Sequence, residues 1–148
     1  SAYRTVVVGT DGSESSLRAV EKAAAIAGDA GAKLILACAY YPADPKDVGK
    51  AASVEDEAYQ ITGSAPTYDI LRRARERAHG VGATEVEERA IVGAPVESLL
   101  ELVDETKADL LVIGNRGLNT LTGRLLGSVP SDAARKSTSD VLIVHTTR

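Results

Sequence analysis

The chemistry of this chain is concentrated in residues 114–128. Gly114-Asn115-Arg116-Gly117 is followed, after nine further residues, by Gly127-Ser128, the pattern G-x2-G-x9-G-S. It comes directly after the apolar run Leu110-Leu111-Val112-Ile113 and leads into Val129-Pro130. A strand that ends in glycine, runs through a glycine-punctuated loop and restarts as a helix has the layout of a phosphate site. Glycine lets the backbone approach an anion closely. The unpaired N–H groups of the new helix then point at that anion. Ser128 adds a hydroxyl donor and is a good N-cap. Arg116 and Arg124 lie in the same loop, and the forked guanidinium suits a phosphate.

The second candidate is Asp11, in Val6-Val7-Val8-Gly9-Thr10-Asp11-Gly12-Ser13. An acidic residue just before a helix stabilises its N-terminus by ~0.3–1 kcal/mol. A carboxylate beside a phosphate repels it, so Asp11 belongs on the base and sugar side of any nucleotide unless a metal intervenes. Neither His79 nor His145 has a second ligand at metal-binding spacing, and no structural zinc is expected.

Other chemistries lack their residues. The lysine of a P-loop, G-x4-G-K-[ST], is missing. So are the G-x-S-x-G nucleophile elbow and the His-x-Gly-His signature of adenylyl transfer. The first loop is Gly-Thr-Asp-Gly rather than a dinucleotide-binding G-x-G-x-x-G. With no phosphate lysine and no evident general base, binding is favoured over catalysis, and any ATP hydrolysis is expected to be slow.

These residues need a scaffold. A chain of 148 residues fits one domain, spanning residues 1–148, with enough material for a core. An apolar fraction of 44% and a charged fraction of 26% are ordinary for a globular protein. The net charge of −4 and the absence of Phe and Trp argue against nucleic acid as a partner. No apolar run is long enough to span a bilayer. No basic-then-apolar leader is recognisable, and the single cysteine, Cys38, is expected to be a buried thiol, which suits a cytoplasmic protein.

Strand and helix patterns alternate. Arg4–Gly9, Lys33–Tyr40, Thr84–Val92, Asp109–Ile113 and Asp140–His145 read as strands, the third as a charged edge. Helices are predicted from Ser13 to about Asp29 with a stop at Gly31, over Thr67–His79, from Pro95 to about Thr106, and over Ser128–Lys136. Tyr41–Pro66 reads as irregular, with a short helix over 53–61. The arginines at 72, 73, 75 and 77 follow the polar face of a helix and are expected to be solvated. Alternating strands and helices imply an α/β fold with an open parallel sheet.

The motif G-x2-G-x9-G-[ST], the opening strand with its acidic turn, and the closing Asp140-Val141-Leu142-Ile143-Val144-His145 together resemble the universal stress protein family over essentially the whole chain. The resemblance implies a five-stranded parallel sheet of order 3-2-1-4-5 with helices on both faces, a Rossmann-like sandwich. It implies a cytoplasmic, usually dimeric protein that binds an adenine nucleotide. Ligands of such sheets sit where the winding changes direction. With that order, Gly9-Thr10-Asp11 and Gly114-Asn115-Arg116-Gly117 share one crevice.

By the same resemblance, Asp11 approaches the nucleoside, the Ala39 backbone meets the base, and Ile113 packs near it. Gly114, Gly117, Gly127, Ser128 and Val129 form the phosphate side. Pro130 has no N–H to offer. Gly123–Pro130 resembles actinobacterial members, some of which bind cyclic AMP, and the loop has no lysine to help neutralise a triphosphate. Cyclic AMP (cAMP) is therefore favoured over ATP, magnesium being needed only if the ligand is ATP. The expected role is a nucleotide sensor or buffer. Two alternatives stand beside it: an ATP-binding switch with weak ATPase or autophosphorylation activity, and a protein-interaction module stabilised by nucleotide. In the implied order the last strand is an edge. Its apolar run, Val141, Leu142, Ile143 and Val144 with His145, is then expected to pair with its own copy in a homodimer.

Overall fold

The apolar runs become the strands of one sheet. The computed structural model describes residues 2–42, 64–116 and 128–146. The predicted short helix over 53–61 falls outside the described residues. The strands are β1 (Thr5–Gly9), β2 (Lys33–Tyr40), β3 (Glu85–Val92), β4 (Leu110–Gly114) and β5 (Asp140–Val144). The helices are α1 (Glu14–Ala30), α2 (Ser64–Val81), α3 (Pro95–Thr106) and α4 (Ser128–Lys136). The sheet has the order β3-β2-β1-β4-β5, and every neighbouring pair is parallel. This is the expected α/β architecture, including the strand order that only the family resemblance implied.

Strand alternation divides the core in two. Val6 and Val8 of β1 point to one face, where they pack with Leu17, Val20 and Ala24 of α1 and Leu71 and Ala74 of α2. Val7 points to the other, with Ile35, Leu111, Ile113, the α3 residues Leu99, Leu102 and Val103, and Ala133 of α4. Residues i and i+2 share a face of a strand, so a continuous Val-Val-Val run is what a doubly covered sheet requires. Each fully buried Val, Leu or Ile contributes about 1.5–3 kcal/mol of transfer free energy. Without Phe or Trp, many small contacts make the core, and α1 presents Ala19, Ala23, Ala24 and Ala27 to it.

The element ends follow local chemistry. Ser13 caps α1, its side chain accepting from the Ser16 N–H. Gly31 stops α1 at φ 65°, as expected of a glycine in the left-handed region. α3 starts at Pro95, where the missing N–H breaks no intrahelical bond. α2 begins three residues before its predicted start and takes in Pro66. Proline is tolerated there because the first four N–H groups of a helix have no intrahelical partner.

The arginines of α2 are less solitary than their spacing suggested. Arg77 pairs with Glu14 at 3.3 Å and Glu21 at 2.8 Å, and Arg75 with Glu88 at 3.2 Å. They link α2 to α1 and β3. The Arg77 pairs are exposed and the Arg75–Glu88 pair is half-buried, and exposed pairs contribute little each. β3 is the charged edge expected: Glu87 lies 2.8 Å from Lys33 on β2. This partner holds the Glu87 carboxyl below its ordinary pKa.

Candidate functional site

β1 and β4 are neighbours, paired as Val6↔Leu110, Val7↔Leu111 and Val8↔Val112. Beyond β1 the chain enters α1, which packs on one face of the sheet. Beyond β4 it continues to α4, which packs on the other. The winding reverses here, and two loops leave the same end of the sheet side by side. This is where open α/β sheets bind ligands.

The first wall is built on hydroxyls. Thr10 is 1% exposed, and its N–H donates to Ala37 O at 2.9 Å, tying the exit of β1 to β2. The Gly12 N–H donates to Thr10 Oγ1 at 3.1 Å. Thr10 Oγ1 and Ser16 Oγ are 2.8 Å apart, and Ser16 Oγ donates to Ser13 O at 3.0 Å. The Asp11 N–H also donates to Ser16 Oγ, at 3.3 Å. Asp11 Oδ1 accepts from the Ser13 N–H at 3.0 Å, which closes the turn before the helix. The helix-start role expected of Asp11 is thus present. Gly12 takes φ +86°, a left-handed conformation that side chains rarely adopt. A Cβ there would also stand 3.0 Å from Ile70 Cγ1 on α2.

The second wall is the exit of β4. Gly114 is buried, and a Cβ added to it would lie 3.2 Å from Thr146 Cγ2 and 3.7 Å from Ser15 Oγ. The close approach at this glycine therefore already occurs within the chain. Asn115 turns its groups toward the segment after β5. Its N–H donates to Val144 O at 2.8 Å, and its Oδ1 accepts from the Thr146 N–H at 2.8 Å and from Thr146 Oγ1 at 3.0 Å. Asn115 Nδ2 lies 3.3 Å from His145 Nδ1. Arg116 is exposed.

The floor is apolar. Ile113 is fully buried, and Ala39 is 6% exposed near the end of β2. Beside Ala39, Cys38 is buried and makes a side-chain hydrogen bond with Thr67 of α2. Burial, reinforced by the Asp11 charge, pushes the Cys38 thiol up to about 12. The cysteine is the inert, buried thiol expected from its neighbours.

The structure therefore brings Gly9, Thr10 and Asp11 together with Ile113, Gly114 and Arg116, with Ala39 at the end of the adjoining strand. Gly117, Arg124 and Gly127 lie outside the described residues. Ser128 and Val129 are placed at the start of α4 by the backbone alone. The sequence reading passed over Gly12, Ser16, Asn115 and Thr146. The density of hydroxyls in Thr10–Ser16 was a usable signal for Ser16. Nothing local marks Thr146, whose partners lie 31, 128 and 131 positions away. No group of three or more His, Cys, Asp or Glu able to hold a metal occurs among the described residues. No helix among them is long and apolar enough to cross a membrane.

Comparison with known proteins agrees with this fold. The model of the universal stress protein family matches residues 2–145. A universal stress protein of Mycobacterium tuberculosis is 63% identical over 147 residues, covering 99% of both chains. A crystal structure of a universal stress protein in complex with cAMP matches 99% of this chain and 100% of its own, at 56% identity and TM-score 0.77. A universal stress protein from Lactobacillus plantarum, 19% identical, shares the fold over 97% of this chain and 99% of its own at TM-score 0.76. A family match across nearly the whole length, and a relative this similar, lead to one conclusion: the chain belongs to the universal stress protein family.

Proposed function

We propose that the protein binds an adenine nucleotide in the crevice between Gly9–Ser13 and Gly114–Arg116, with cAMP as the preferred ligand, and that it acts as a nucleotide sensor or buffer. The observation that carries this reading is the end-to-end likeness to the universal stress protein crystallised with cAMP. In this reading Asp11 and the Ala39 backbone address the ribose and base, over the apolar floor of Ile113. Gly114, Arg116, Gly117, Gly127, Ser128 and Val129 address the phosphate, through backbone N–H groups and the start of α4. The absence of a loop lysine supports a ligand of low charge.

The active form in this proposal is a cytoplasmic homodimer paired through β5. Its support is the edge position of β5 and the exposure of Ile143, 42% of whose surface is open to solvent. Calorimetric titration with cAMP and with ATP, each with and without magnesium, tests the ligand assignment. The expected result is tighter binding of cAMP with no magnesium dependence. Tighter, magnesium-dependent binding of ATP would overturn it in favour of an ATP-binding protein.

A further inference from the structure

Thr146 follows β5, lies one residue beyond the segment matched by the family model, and is 3% exposed. Bonds from both walls of the crevice converge on it. From the β4 exit, Asn115 Oδ1 accepts from both its N–H and its Oγ1, at 2.8 and 3.0 Å. From α1, which carries the other wall, Ser15 Oγ makes a short hydrogen bond to Thr146 Oγ1. Arg18 Nη1 donates to Thr146 O at 2.7 Å. The hydroxyl has one proton, which goes to Asn115, so Ser15 is the donor in the second bond. The Thr146 methyl meanwhile fills the space that a side chain at Gly114 would take.

We propose that Thr146 is a positioning residue for the nucleotide site, its hydroxyl bridging Ser15 and Asn115 and so holding the two walls of the crevice at their working separation. This rests on the nucleotide reading above. The hydroxyl joins α1 to the first residue of the glycine loop after Gly114, from a position 131 residues after Ser15 and 31 after Asn115. Loss of the hydroxyl leaves only the bonds through the Thr146 backbone, from Arg18 and to Asn115, and loosens the walls against each other. A ligand that touches both must then restore their spacing from its own binding energy, and affinity falls.

The test compares wild type with Thr146→Val, which keeps the shape and removes the bridge, and with Thr146→Ser, which keeps the bridge and removes the methyl. Titration with cAMP is expected to show Thr146→Val binding about tenfold more weakly, the equivalent of one net hydrogen bond. Thr146→Ser is expected to restore most of that loss. A residue that only stabilised the fold would leave Kd unchanged as long as the protein stays folded. In the ligand-free proteins, hydrogen exchange at Thr10–Ser13 and at Asn115–Arg116 is expected to rise together in Thr146→Val and to stay low in Thr146→Ser. Unchanged cAMP affinity in Thr146→Val, a serine variant as weak as the valine one, or faster exchange at one wall alone would each overturn the proposal. A wild-type protein that binds neither cAMP nor ATP overturns the nucleotide reading instead, and the exchange result by itself then decides whether Thr146 joins the walls.

Discussion

The hydroxyls of Thr10 and Ser16 meet at 2.8 Å, each residue 1% exposed, and between them they shape the turn that carries Asp11. The proton of Ser16 goes to Ser13 O, so Thr10 donates to Ser16, and Thr10 Oγ1 in turn accepts from the Gly12 N–H. The chain of bonds runs in one direction through four consecutive partners. Such a buried network is valuable only while every member is satisfied.

Ser16→Ala is therefore expected to leave the Thr10 hydroxyl without its acceptor and to weaken the hold on the Asp11 N–H. A loss of about 1–3 kcal/mol of stability follows from an unsatisfied buried group. Urea unfolding measures it. The same variant is expected to bind cAMP more weakly, because Asp11 is no longer held in one place. Unchanged stability and affinity together would show that the network does not set this turn.

Gly114→Ala is expected to cost both stability and nucleotide affinity. A methyl at Gly114 meets Thr146 Cγ2 at 3.2 Å, a contact that the neighbour must yield to by a few tenths of an ångström. Forcing a methyl into a packed site costs typically 1–3 kcal/mol, and the value here is expected at about the lower end. The double variant Gly114→Ala with Thr146→Ser removes the opposing methyl. Thermal melting is expected to recover in it. Failure to recover would place the clash elsewhere.

Cys38 gives a pH prediction with a definite sign. Its thiol is pushed from an ordinary value of 9.0 up to about 12 in the folded protein, chiefly by burial. Below pH 9 both folded and unfolded states hold the proton, and the contribution is fully present. Above it the unfolded chain releases the proton first, so stability falls as pH rises between about 9 and about 12. Unfolding at several alkaline pH values, with Cys38→Ala for comparison, should show a steeper decline in the wild type. A thiol reagent at neutral pH is expected to label the protein only after unfolding.

Ile143→Glu tests the assembly. In the proposed homodimer, β5 pairs with its own copy, and a charge on its exposed face is a recognised way of blunting an edge. Light scattering is expected to give twice the chain mass for wild type and the single chain mass for the variant. The melting temperature is expected to fall only by what the lost interface contributed. A wild-type monomer at high concentration would remove β5 as the pairing strand.

Much of the scaffold was legible in residue order because its signals are local. Val6-Val7-Val8 and Leu110–Ile113 are continuous apolar runs, which a doubly covered strand needs. Leu17, Val20, Ala24 and Ala27 recur at helical spacing, and Gly31 and Pro95 mark boundaries through backbone geometry alone. Element ends moved by a few residues, most at α2, because capping and tertiary contacts choose among several permitted stopping points. Gly114 was legible as a point of close backbone approach, since such an approach leaves a mark in residue type.

The strand order is a matter of long-range pairing, which residue order leaves open and which only the family resemblance anticipated. The same holds inside the site. Asn115 and Thr146 are unremarkable where they stand in the sequence, one within a turn and the other after a strand. Their roles arise when the parallel pairing Gly114↔Val144 sets the ends of β4 and β5 side by side. Gly114 shows both levels at once. Its residue type announced a close approach, but only the tertiary structure decided that Thr146 is a group it approaches.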